Sequence, residues 1–151
     1  MVEFHQRPFH HRWSDMGDKA EGAFLERHPK AHRIGLDRTE LNTRAMTTRQ
    51  RYAPDFMLEN GLYEVMGFSS RGNDVLKLKC EKLDALRDWD IIIPTFLWVR
   101  DSAKGHVWCG RIDQWTTACY QRGDRKHFED NDRAYWELKR DDFPAGLLVN
   151  V

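Results

Sequence analysis

Asp55 and Glu64 stand nine positions apart, on either side of an Asn60-Gly61 pair. Asn-Gly is the strongest short signal for a tight hairpin turn. A hairpin returns the chain on itself and can bring both carboxylates together at one end. Side chains alternate along a strand, so Glu64 shares a face with Met66, while Tyr63 and Val65 point the other way. Paired carboxylates with room for water make a hard-oxygen site suited to Mg²⁺ or Mn²⁺. The Val65 peptide carbonyl is a further candidate ligand. An ion there would polarise a phosphate and generate hydroxide for in-line attack. Two acids beside a hairpin are also commonly solvated edge charges, and spacing alone leaves both readings open.

The elements that must position these residues can be read around them. Residues 54–58 and 62–68 read as the two strands of the hairpin, with Glu59-Asn60-Gly61 as its turn. Ahead of it, 14–28 reads as a helix capped by Ser14 or Asp15 and ended by Pro29, with 32–36 as a short strand and 37–50 as a polar loop. After it, 74–89 reads as a helix, because Leu76, Cys80, Leu83 and Leu86 fall at helical spacing. The apolar run 90–99 reads as a buried central strand broken at Pro94. A strand over 106–110, a short helix over 112–120 and a C-terminal hairpin over 126–143, turning at 130–132, complete the order. This is a mixed α/β arrangement in one domain of residues 1–151, with 1–13 as a flexible arm.

The wording around the two acids adds to their spacing. Tyr52-Ala53-Pro54-Asp55-Phe56-Met57-Leu58, then Asn60-Gly61-Leu62-Tyr63-Glu64-Val65-Met66-Gly67, resembles the PD-(D/E)xK nuclease superfamily. Its pattern is Pro-Asp, a turn, then Glu-x-Lys, often followed by Gly. With the flanking helices the resemblance covers about half the chain. It looks closest to small phage branched-DNA resolvases and VRR-type nucleases. Glu64-Val65-Met66-Gly67 with Leu76-Lys77-Leu78-Lys79 is also similar to uncharacterised actinobacteriophage proteins of that superfamily. The resemblance implies a restriction-endonuclease-like core, a mixed central β-sheet flanked by helices. It implies a metal-dependent DNA endonuclease, phage-encoded and acting in recombination, repair or processing of branched or single-stranded DNA, in the manner of a Holliday junction resolvase. A homodimer is implied in the same way.

Position by position, Asp55 and Glu64 match the metal-binding acids. Glu21 falls where such nucleases often place an additional acid, and reads equally as an exposed helix charge. Met66 departs from the pattern: a thioether can neither neutralise phosphate charge nor hold an attacking water. Either the lysine has moved, with Lys79 the first candidate and Lys77 the second, or the fold is a catalytically inactive module that binds DNA or protein. Lys82 reads as a solvated lysine on the polar face of the helix.

Composition sets the remaining bounds. The 151 residues are 40% hydrophobic, with six Trp and eight Phe, enough for a core without staples. Twenty-four basic residues balance twenty-four acidic ones, which argues against wrapping nucleic acid by bulk charge and leaves room for a local basic patch. Arg38, Arg44, Arg49 and Arg51, among Thr and Asn, form such an arm just before the hairpin and suit phosphate contacts as well as a solvated loop. Trp98, Trp108, Trp115, Tyr135 and Trp136 read mainly as core, with stacking on a base as the other use. His10-His11 lacks a third ligand at zinc spacing. Cys80, Cys109 and Cys119 form no CxxC pair and read as reduced thiols. No apolar run is long enough to span a membrane, and a cytoplasmic location follows by default.

Overall fold

A computed structural model describes residues 9–35, 46–71, 75–129 and 133–149, with side chains from residue 16 onward. Helix α1 (Phe9–Arg27) is followed by β1 (His32–Arg33), the single-turn helix α2 (Thr48–Arg51) and the strands β2 (Phe56–Leu58) and β3 (Gly61–Phe68). Then come β4 (Val75–Lys79), α3 (Cys80–Ile92), β5 (Thr95–Asp101), β6 (Val107–Arg111), α4 (Ile112–Arg122), β7 (Asp124–His127) and β8 (Ala134–Lys139). The fold is mixed α/β. A five-stranded sheet runs β1-β2-β3-β5-β6, and a three-stranded sheet runs β4-β8-β7. All pairings are antiparallel except β3 with β5.

The Asn60-Gly61 hairpin forms, with Phe56 opposite Tyr63 and Leu58 opposite Gly61. Because β3 and β5 are parallel, the chain must cross over between them. It does so through β4 and α3. The central strands β3 and β5 of the large sheet are buried on both faces. On one side α1 lays Ala20 and Phe24 against Phe56, Tyr63, Val65 and Trp98. Phe24 stacks on Phe56 at 4.9 Å and meets Trp98 edge-on at 5.4 Å. On the other side Leu97, Val99 and Trp108 pack with Leu83 and Leu86 of α3, Trp115 of α4 and Leu76, Leu78 and Leu138 of the small sheet.

Several expectations are corrected. The helix expected from Ser14 already begins at Phe9, so Ser14 and Asp15 lie inside it rather than at its start, and residues 9–13, expected in an arm, are helical. Residues 75–79, expected as the first turn of a helix, are a strand. Val-Leu-Lys-Leu-Lys alternates with period two, and Leu76 and Leu78 are buried while Lys77 is exposed. The run 90–99 does break at Pro94, but its first part is not strand: α3 extends to Ile92, and β5 starts at Thr95 after Pro94. A residue before proline is disfavoured in a helix, which stops α3 there. Ile91 and Ile92 are consequently 83% and 70% exposed instead of central in the sheet. The C-terminal hairpin consists of β7 and β8, with His127 opposite Ala134, and its 130–132 turn lies outside the described residues. The five aromatics read as core are buried, Trp136 partly so.

Candidate active site

Asp55 is held just ahead of β2 by its own backbone. Its carbonyl accepts the N–H groups of Ile34 (2.9 Å) and Gly35 (3.1 Å), which tie it to the end of β1. A side chain at position 35 would put Cβ 2.9 Å from the Asp55 Cα, so glycine is what lets the two segments approach. The carboxylate then reaches across to β3, where Oδ2 accepts the Val65 N–H at 2.9 Å. N–H and C=O of one residue leave an extended strand on the same edge. The Val65 carbonyl therefore faces the edge on which Asp55 lies.

Glu64 is the neighbouring residue of β3, paired in register with Leu97. Its side chain points away from α1, as does that of Met66, while Tyr63 and Val65 join the α1 core. Glu64 is 5% exposed. The hairpin brings the two acids close enough for the Glu64 charge to act on the Asp55 carboxyl. Burial, then the charge of Glu64, push the Asp55 carboxyl up to about 8, against the opposing pull of the Val65 N–H and Lys82. Burial and the neighbouring charge thus both favour the protonated form of Asp55.

The cation of the site is Lys82. Its Nζ lies 2.8 Å from Glu64 Oε2, with both side chains under one-tenth exposed. It is the third residue of α3, on the inward face with Leu83, Ala85 and Leu86. The Tyr52 ring at the end of α2 stands over its ammonium at 5.9 Å. Lys82 and Tyr52 were absent from the sequence-based site. The signal for Lys82 was its place four residues before Leu86 and seven before Trp89, on the buried side of the helix.

The two lysines expected to replace a lysine at 66 are elsewhere. Lys77 and Lys79 share the face of β4 opposite to buried Leu76 and Leu78, and Lys77 lies over the Tyr135 ring at 5.6 Å. Met66 itself packs against the core on the α3 side. Glu21 pairs with Arg33 at 2.9 Å in a part-exposed ion pair. Among the described residues, no cluster of three or more His, Cys, Asp or Glu forms, so Glu21 does not join Asp55 and Glu64. Of the arginine arm, Arg49 bonds Asp88 through Nε at 3.1 Å and takes the Trp89 indole N–H on its carbonyl at 3.2 Å, which docks α2 on α3. Thr47 and Gln50 cap that short helix reciprocally, and Arg51 is half-buried on it. Arg38 and Arg44 lie outside the described residues.

The oxygen donors at the hairpin are the carboxyl groups of Asp55 and Glu64 and the edge that carries the Val65 carbonyl. Mg²⁺ is commonly held by one or two carboxylates and keeps several waters. Against protein-family models, curated proteins and solved structures, the chain gives no match. Among the described residues no helix is long and apolar enough to cross a membrane.

Proposed function

We propose that this protein is a Mg²⁺- or Mn²⁺-dependent deoxyribonuclease on a restriction-endonuclease-like, PD-(D/E)xK-type core, hydrolysing phosphodiester bonds in branched or otherwise processed DNA. The observation that carries the reading is the buried cluster of Asp55, Glu64 and Lys82 at the hairpin, beside the Val65 backbone. Asp55, Glu64 and the Val65 carbonyl would hold the ion. When bound, it supplies Lewis acidity toward a phosphoryl oxygen. The Val65 N–H fixes the orientation of the Asp55 carboxylate. Glu64 keeps the Lys82 ammonium at the site, where a donor with three N–H groups can bind a phosphate oxygen or an attacking water. Lys82 thus takes the part that the sequence pattern gives to position 66, reached from the helix of the crossover instead of from the strand. Arg49 and Arg51, within three residues of Tyr52, put guanidinium groups on the segment that leads into the site.

A second reading, a catalytically inactive module of the same fold that binds DNA or protein, draws on Met66, which is used for packing. Cleavage assays separate the two. Wild-type protein with Mg²⁺ or Mn²⁺ is expected to cut at least one of linear duplex, single strand, fork or four-way junction. Asp55→Ala and Lys82→Ala should lose the cutting, and Lys77→Ala and Lys79→Ala should keep it. Intact binding without cutting of any substrate by wild-type protein would favour the inactive module.

A further inference from the structure

A second feature lies away from the carboxylate cluster. Where the parallel strands β3 and β5 end, a half-open cavity of about 220 Å³ is bounded by Met16 and Lys19 of α1, Ser69 and Arg71 after β3, and Ser102 and Ala103 after β5. The space beyond the carboxyl ends of parallel strands is where open α/β sheets usually take ligands. Among the described residues its polar lining is two cations and two hydroxyls, with no acidic residue. Among the described residues no carboxylate pairs with Lys19 or Arg71.

The walls are fixed from below by one buried side chain. Asp101, fully buried at the end of β5, accepts the Ser70 N–H (3.1 Å) and the Ala103 N–H (2.9 Å) on the same oxygen. One carboxylate thereby holds both loops. The Ser102 N–H donates to the Phe68 carbonyl at 2.8 Å, and the Arg71 N–H to Ser69 Oγ at 3.2 Å. On the third side, α1 lies so close to β3 that a Cβ at Gly67 would collide with the Met16 carbonyl. The cavity is therefore formed before any ligand arrives, which lowers the ordering cost of binding.

We infer that this cavity is a phosphate-binding pocket, in which Lys19, Arg71, Ser69 and Ser102 hold a phosphoryl group. Arginine grips phosphate oxygens through two parallel N–H bonds, lysine adds a point charge, and the hydroxyls donate neutral bonds. Ser69 is five positions along β3 from Glu64, roughly 16 Å at ~3.3 Å per residue, so one phosphate cannot serve both sites. The phosphoryl group can belong to a nucleic-acid strand or to a small phosphorylated molecule. The inference does not depend on the nuclease reading, because phosphate can bind here whatever the carboxylate cluster does.

The test is a titration of the full chain with inorganic phosphate in EDTA, followed by backbone amide NMR against sodium chloride at equal ionic strength. Saturable shifts are expected at residues 69–71 and 102–104. Lys19→Ala and Arg71→Ala are both on the surface and should leave the melting temperature unchanged while weakening binding about tenfold each. Asp55→Ala should leave phosphate binding as it is. Competition by 5′-phosphorylated, 5′-hydroxyl and mononucleotide probes then distinguishes a strand end, an internal phosphate and a free molecule. Shifts that chloride reproduces, or that persist in the Lys19→Ala/Arg71→Ala double variant, overturn the pocket.

Discussion

The two faces of the central sheet are built from the same strand but on different terms. Toward α1, β3 sends Tyr63 and Val65 into a cluster that is apolar and aromatic. Toward α3 it sends Glu64 and Met66, and there a carboxylate and an ammonium sit within an otherwise apolar layer. Burying charge costs stability unless partners offset it, and a buried ion pair at best roughly breaks even against apolar residues of the same shape. The α1 face is what holding the fold requires. The α3 face carries an expense that packing does not explain, and such places are where function is concentrated.

The largest expected effect breaks the comparison on the charged face. Asp55→Ala should lower metal-dependent DNA cleavage by about a thousandfold or more, since an ion's charge stabilisation is worth several kcal/mol. Its melting temperature in EDTA should hold or rise. Loss of folding in place of loss of cutting would mean that the cluster is structural. On the other face, Phe24→Ala should do the reverse. Phe24 is fully buried among Phe56, Tyr63 and Trp98, and truncation should cost about 3–5 kcal/mol of unfolding free energy in urea. Cleavage measured in the cold, where the variant is folded, should be largely kept.

A smaller effect sharpens the role of the ion pair. Lys82→Met leaves Glu64 buried without its cation and should destabilise by about 3 kcal/mol at neutral pH. Lys82→Met with Glu64→Gln should recover most of that loss, because neither charge is then left alone. A double variant no more stable than the single one would show that Lys82 acts through its stem rather than its charge.

The raised Asp55 carboxyl gives a graded version of the same contrast. The Asp55 carboxyl titrates at about 8 in the folded chain against 3.8 when free. Between those values the folded chain holds a proton that the unfolded chain has released. Stability in EDTA should therefore fall as pH rises from about 4 to 8 and level off above that. The groups facing Asp55 are Glu64, which raises its affinity for the proton, and Lys82, which lowers it. Asp55→Asn removes the titration, so its melting temperature should exceed that of wild type by about 3 °C or more at pH 8.5 and converge with it near pH 4. Parallel curves at all pH values would place the titrating proton elsewhere.

The legibility of these features followed their range along the chain. The hairpin of β2 and β3 was readable because its signal, Asn60-Gly61 between alternating strands, is local. The pairing of Asp55 with Glu64 followed from the same turn. Strand β4 is hidden in the sequence because the helical spacing of Leu76, Cys80, Leu83 and Leu86 joins residues of two elements. What settles β4 as a strand is β8, about sixty residues later, and no local pattern announces that partner. The position of the lysine depends on the same boundary. With 74–89 as one helix, Lys77 and Lys79 open it near the site and Lys82 lies on its polar face. Once the helix starts at Cys80, Lys82 falls in the first turn, inward, and meets Glu64. Likewise the isoleucines before Pro94 suggested a buried strand by hydrophobicity alone, whereas the helix ends there and leaves them on the surface.

The smallest effect concerns the thiols, which extend the comparison from charge to reactivity. Cys109 packs against the α1 core and Cys119 lies in the α3 core. Burial pushes the Cys109 thiol up to about 11 and the Cys119 thiol up to about 12. The attacking species is the thiolate, so both should stay unreactive at pH 8. Cys80, half-buried at the start of α3, is then the thiol that modifies first. A disulfide reagent at pH 8 should label about one cysteine quickly in the native protein and all three in urea, and Cys80→Ser should abolish the fast phase. Fast labelling of Cys119 would show that the layer enclosing Lys82 and Glu64 opens readily, and the two faces would then differ in mobility as well as in charge.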